Sequence, residues 1–114
     1  MTPAPVDLLQ GTLDILVLKS LSWGPRHGHG VARIIHETTS GMLEVTDGSL
    51  YVALHRLEER ELVASEWGLS DKGKRARFYR LTPAGRRYLK AETAAWQRYV
   101  ESVARLLTAT VQPA

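Results

Sequence analysis

The sequence predicts a mainly α-helical fold carrying one small β-hairpin, and three observations predict it. Three segments with helical periodicity, at 7–22, 26–41 and 47–63, follow one another across short links. Two β-rich stretches, Leu62 to Leu69 and Ala76 to Thr82, then flank the turn sequence SDKGKR at 70–75. A last apolar-periodic segment of about 25 residues opens at Thr82 and Pro83.

Each element has a local reason. The first helix begins at Asp7, whose carboxylate can cap free backbone donors with Gln10 three residues on, and it stops at Trp23, Gly24 and Pro25. Leu9, Leu13, Ile15, Leu16, Val17, Leu18 and Leu21 nearly encircle it, so burial from more than one side is expected. Its own core covers one face, which leaves Ile15 and Leu18 for another helix or another subunit. The second helix opens in RHGHG at 26–30, buries Val31, Ile34, Ile35 and Thr38, and ends at Ser40 and Gly41. Met42 to Thr46 alternates weakly and reads as a very short strand. The third helix, DGSLYVALHRLEERELV from Asp47 to Val63, is capped by Asp47 or Thr46 and turns Leu50, Ala53, Leu54 and Leu57 toward a core. Its other side carries Val52, His55, Arg56 and Glu59, behind a leading turn of Gly48, Ser49 and Tyr51.

The hairpin tip holds Gly73 among the cations Lys72, Lys74 and Arg75. Thr82 caps the last helix and Pro83 fills its first position, where a missing N–H costs nothing. Along that helix Leu89, Trp96 and Val103 recur every seven residues, flanked by Tyr99, Val100, Leu106 and Leu107. So apolar a stripe is expected to pair two copies, with folding back over its own core as the alternative. The organisation is then a flexible N-terminus at 1–6, a compact domain at 7–82, a dimerisation helix at 83–110 and a flexible tail at 111–114.

Totals narrow the function. At 114 residues, 44% of them hydrophobic and 24% charged, the chain has the size and balance of one folded soluble domain. Without cysteine there is no disulfide framework and no thiolate metal or redox chemistry. No run reaches the roughly 18 apolar residues of a membrane helix, and the opening MTPAPVDLLQ lacks a signal peptide's pattern. A cytoplasmic protein without a membrane partner is expected. The net charge is only +3, yet eight of the fifteen Lys and Arg residues fall between Lys72 and Lys90, with no acid among them. Such a run concentrates positive potential and attracts polyanions. Three helices followed by a basic hairpin make a winged helix-turn-helix, in which the third helix takes the major groove and the hairpin grips flanking phosphate or minor groove. Double-stranded DNA is the expected partner.

Four stretches between about Leu8 and Leu89, namely LLQGTLDILVLKSL, GPRHGHGVARII, DGSLYVALHRLEERELV and ARFYRLTPAGRRYL, together resemble the PadR family of bacterial transcriptional regulators. The resemblance implies a winged-helix domain, a homodimer built largely by the C-terminal helix, and repression by operator binding. A single C-terminal helix is similar to the family's short subfamily. Val52 departs from the family, which usually has proline there, His29 stands where tyrosine is frequent, and Glu61 where glycine is frequent.

For base reading, Ser49 and Tyr51 come first, then His55 and Arg56, because hydroxyls and a guanidinium can meet base edges or phosphates. Lys72, Lys74, Arg75 and Arg77 are expected to hold phosphates or enter the minor groove. Ile15, Leu18, Leu89, Trp96, Tyr99, Val100, Val103 and Leu107 are expected at the dimer seam. There the resemblance implies a small planar aromatic effector stacked on Trp96, with a plain packed seam as the alternative. No catalytic residue, metal or cofactor is expected. One rival is a histidine-based metal sensor built on His27, His29 and His36, whose spacing does not secure convergence. Another is a winged helix that binds only protein, against which the acid-free basic run stands.

Overall fold

The structure, a computed structural model, describes residues 11–114. Its elements run α1 (Thr12–Leu21), β1 (Arg26–His27), α2 (Gly28–Thr38), α3 (Asp47–Glu59), β2 (Val63–Leu69), β3 (Arg75–Leu81) and α4 (Pro83–Leu107). The expected helix start at Asp7 and Gln10, like the N-terminal segment before it, lies outside the described residues. Four helices with a small antiparallel sheet confirm the expected fold class.

The two hairpin strands pair from Val63 opposite Leu81 to Leu69 opposite Arg75. Their turn closes through the Gly73 N–H donating to the Ser70 carbonyl and the Ser70 N–H donating to the Lys74 carbonyl, both at 2.8 Å. The third strand corrects an expectation. Met42 to Thr46 forms no strand; the short β1 instead pairs Arg26 with Tyr79 and His27 with Phe78, giving the order β1-β3-β2. The outer edge of β3 runs past the start of α2, and the residue after Pro25 enters extended, so the segment leading into α2 takes the ladder. The stretch after α2 is shaped by its C-cap, where the Thr39 hydroxyl accepts from the Leu43 N–H at 3.1 Å.

Side chains start three helices. Thr46 Oγ1 accepts from the Ser49 N–H at 3.2 Å, Thr82 Oγ1 accepts from the Gly85 N–H at 3.0 Å, and His27 Nδ1 accepts from the Gly30 N–H at 3.2 Å. At the other end of α3, the Leu62 N–H reaches the Leu57 carbonyl and the Glu61 N–H reaches the Glu58 carbonyl, a Schellman closure. It puts Glu61 at φ 60°, left-handed backbone where a side chain is strained.

The core is centred on α1, which packs against α2, α3, β3 and α4. Leu18, Leu21, Leu50, Leu54 and Leu57 are fully buried within it, each contributing about 1.5–3 kcal/mol of transfer free energy. Leu18 is therefore a core residue of a single chain and not a seam residue: the second partner of α1 is α4 of the same chain. Ile15 stays half-buried, and Thr38, expected inside, is exposed because the stripe of α2 runs through Val31 and Ile35. Ala84, Tyr88 and Leu89 at the start of α4 pack on this core. Farther on the helix projects, stretching the molecule to 62 × 37 × 21 Å. Among the described residues no helix is long and apolar enough to cross a membrane.

Candidate nucleic-acid interface

Between α3, the start of α2 and the hairpin lies a cleft of about 780 Å³. Its construction follows from sheet register. Side chains alternate across a strand, so Val63, Ser65, Trp67 and Leu69 share one face with their partners Leu81, Tyr79, Arg77 and Arg75. Near the body this face is apolar and buried at Val63, Tyr79 and Leu81. Toward the tip it becomes cationic, with Arg75 4.4 Å and Arg77 5.6 Å from the Trp67 ring centre. Trp67 thus carries both guanidiniums by cation–π contact.

The expected wing residues Lys72, Lys74, Arg75 and Arg77 all line the cleft, joined by Arg33, His27 and His29 from α2 and its approach. Lys72, Lys74 and Arg75 are exposed at the tip. Arg77 is held more firmly: its Nε donates to Ser65 Oγ at 2.8 Å, and Ser65 Oγ in turn donates to the Glu58 carboxylate, which lies 3.9 Å from Arg77 Nη2. Arg77 therefore braces the wing against α3, leaving the tip cations to meet an anion. Burial raises the Tyr79 phenol above its ordinary pKa, opposed by the charge of Arg77, so it stays neutral and a hydrogen-bond donor.

The four expected reading residues on α3 do not act alike. Tyr51 leans into the cleft, with its hydroxyl so close over Gly28 that a Cβ there would stand 2.8 Å from it. Ser49 sits on the exposed leading turn, its hydroxyl accepting from Thr46 Oγ1 at 2.9 Å. His55 faces outward and lies 3.1 Å from a Glu59 carboxylate oxygen. Arg56 shares a surface hollow with Tyr51, Val52, His55 and Glu59 and is ion-paired with Asp14 of α1; that hydrogen bond, with the charge behind it, raises the guanidinium pKa further. Arg56 thus clasps α3 to α1 while its side chain stays 48% exposed.

Sequence reasoning missed Trp67 and Arg33. Trp67 is recoverable from the pairing register, which sets it opposite Arg77. Arg33 has no local signal, because only the tertiary angle between α2 and the wing brings it to the cleft. Of the histidines, His27 and His29 lie together with ring centres 6.4 Å apart, His27 also capping α2, whereas His36 lies 3.6 Å from Glu44 and His55 lies on α3 beside Glu59. Among the described residues no three His, Asp or Glu side chains gather to hold a metal.

Along α4, Leu89 is half-buried against the core, while Tyr99, Val100, Val103 and Leu107 are exposed. The Trp96 and Tyr99 rings stand 5.8 Å apart. The expected seam residues thus divide between the chain's own core, at Leu18 and Leu89, and a projecting apolar face beyond Trp96.

Known proteins resemble this chain in sequence and in fold. Residues 17–91 match the Transcriptional regulator PadR-like family. An uncharacterised protein X of Lysinibacillus sphaericus is 30% identical over 85% of this chain and 89% of its own length. The transcriptional regulator Rv3488 of Mycobacterium tuberculosis is 40% identical over 68% of this chain and 66% of its own length. The crystal structure of a PadR family transcriptional regulator from Eggerthella lenta superposes with a TM-score of 0.75 at 31% identity, over 89% of this chain and 86% of that one. With its winged-helix architecture, single C-terminal helix and family match across most of its length, the chain belongs to the PadR-like family of transcriptional regulators and is not an enzyme.

Proposed function

We propose that the protein is a homodimeric, cytoplasmic repressor that binds a pseudo-palindromic operator in double-stranded DNA. Each copy sets α3 in a major groove and its wing on the flanking phosphates. The observation that carries this reading is the cleft itself: Lys72, Lys74, Arg75 and Arg33 converge on one side of the exposed leading turn of α3. Cations so placed attract duplex backbone, while Ser49 and Tyr51 offer hydroxyls to base edges or phosphates.

Pairing is supported by α4, which leaves Tyr99, Val100, Val103, Leu106 and Leu107 between 40% and 77% exposed. A second copy would cover that stripe. Two-fold pairing then puts the two α3 helices on one face of DNA, about one turn or 34 Å apart. Trp96 and Tyr99 at the seam offer a stacking surface for a planar aromatic effector. Such a ligand would release the operator only by preferring a different separation of the two α3 helices.

Gel-shift titrations at two salt concentrations test the docking. Reversing the charge of Lys74 and Arg75 should weaken binding to every duplex together, whereas Tyr51→Ala should also lower discrimination among duplexes. Unchanged affinity in both variants would overturn it.

A further inference from the structure

We propose that Val52 reads thymine: each half-site carries a thymine whose 5-methyl group packs against this side chain. The assignment rests on α3 being the groove-entering helix, and it names what that helix recognises.

Leu50, Ala53, Leu54 and Leu57 define the buried side of α3. At 3.6 residues per turn, the line farthest from them runs through Gly48, Val52, His55 and Glu59. Val52 is 63% exposed on that line, more than Tyr51 at 46%. Ahead of it Gly48 has no side chain, and a Cβ built there meets nothing within 4 Å. The leading end of the helix is therefore slim, and the first bulky group along its outermost line is aliphatic.

The polar side chains around Val52 each hold one partner within the chain, the Ser49 hydroxyl keeping its own proton to donate. Arg56 is ion-paired with Asp14, His55 lies 3.1 Å from the Glu59 carboxylate, and Ser49 is bonded to Thr46 at 2.9 Å. A single exposed valine is ordinary on a protein surface. What distinguishes Val52 is its place at the outer edge of a helix beside the cationic cleft, where charge draws in duplex. In the major groove the one apolar group a base pair displays is the thymine methyl. Opposite any other base edge, valine would displace water from donors and acceptors without replacing their hydrogen bonds.

Uracil has the pairing edge and O4 acceptor of thymine and lacks only the methyl. The test takes a duplex selected from a random pool and replaces each thymine with deoxyuridine in turn. Fluorescence anisotropy with the full-length protein should find one position per half-site at which affinity falls about fourfold, the factor matching about 0.8 kcal/mol for one buried methyl-sized group. Substitution in both half-sites should cost about fifteenfold, the two effects being independent. Val52→Ala should erase the uracil effect at that position, and Val52→Ile should keep it; the position is exposed, and thermal melting checks that both variants fold. Indifference of the wild type to every uracil, or equal sensitivity in Val52→Ala, would overturn the assignment while leaving operator binding intact. Failure to select any duplex would overturn the assignment and the reading of α3 together.

Discussion

Gly85→Ala sets two effects of opposite sign against each other where α4 joins the wing. Alanine is the better helix former by about 1 kcal/mol, so on an unobstructed helix the change stabilises. At position 85 the new Cβ would stand 2.0 Å from the Leu62 carbonyl oxygen and 3.2 Å from Leu81 Cδ2. The obstacle is backbone and is pinned: Leu62 O accepts from the Thr82 N–H at 3.2 Å, and the Thr82 hydroxyl donates to the Glu61 carbonyl at 2.7 Å. Non-bonded heavy atoms settle near 3.5 Å, so α4 would have to retreat by more than roughly 1 Å. That retreat would loosen Ala84, Tyr88 and Leu89 from the core they pack on. Overpacking costs about 1–3 kcal/mol and occasionally more, and a rigid obstacle puts this case at the upper end. After the propensity gain, a net loss of about 2 kcal/mol remains, a fall in Tm of about 8–16 °C for a domain of this size. Thermal and urea melts by circular dichroism, at matched protein concentration, read it. Gly48→Ala is the control, because its added Cβ meets nothing within 4 Å and should leave stability unchanged or slightly raised. A Gly85→Ala protein that melts at or above the wild type would refute the close approach of α4 to the wing.

Three other outcomes are expected. Glu61→Gly relieves left-handed backbone at φ 60° and keeps the carbonyl that Thr82 bonds, so it should raise stability by about 1 kcal/mol in urea denaturation. Asp14→Ala frees Arg56 and removes a negative charge beside α3; the salt dependence of duplex binding should steepen by up to one phosphate's worth, a slope change of about 0.9 in a log–log titration. Val103→Glu places a charge on the projecting stripe of α4 and should convert dimer to monomer in sedimentation velocity, without lowering the monomer's secondary-structure content.

Helix starts are legible in this sequence where a short hydroxyl side chain does the capping, as at Thr46 and Thr82. The start of α2 is less so, because histidine caps only through an unprotonated ring nitrogen and His27 gives no composition cue. The core face of α3 can be read from its period, and all four expected residues are buried. Leu18 misleads for the opposite reason. An apolar residue all but surrounded by others on α1 needs a partner beyond one core face, and periodicity alone does not separate another helix from another subunit; Leu18 is buried within the single chain, where α1 packs on α2, α3, β3 and α4. Arg56 carries the same lesson for the interface: its ion partner lies 42 residues away in sequence, and no local pattern could announce Asp14. Register explains the wing better than composition does. Once Trp67 is paired with Arg77, the tryptophan belongs to the cationic face and supports it.

The spacing of bound half-sites tests the central claim most directly. A random pool of duplexes should yield a two-fold symmetric motif with half-site centres about 10 base pairs apart, as two α3 helices on one face of DNA require. Inserting five base pairs between the half-sites turns one of them to the opposite face and should abolish cooperative binding, while inserting ten should restore part of it. An asymmetric motif, or affinity indifferent to the half-turn insertion, would contradict the paired-helix account.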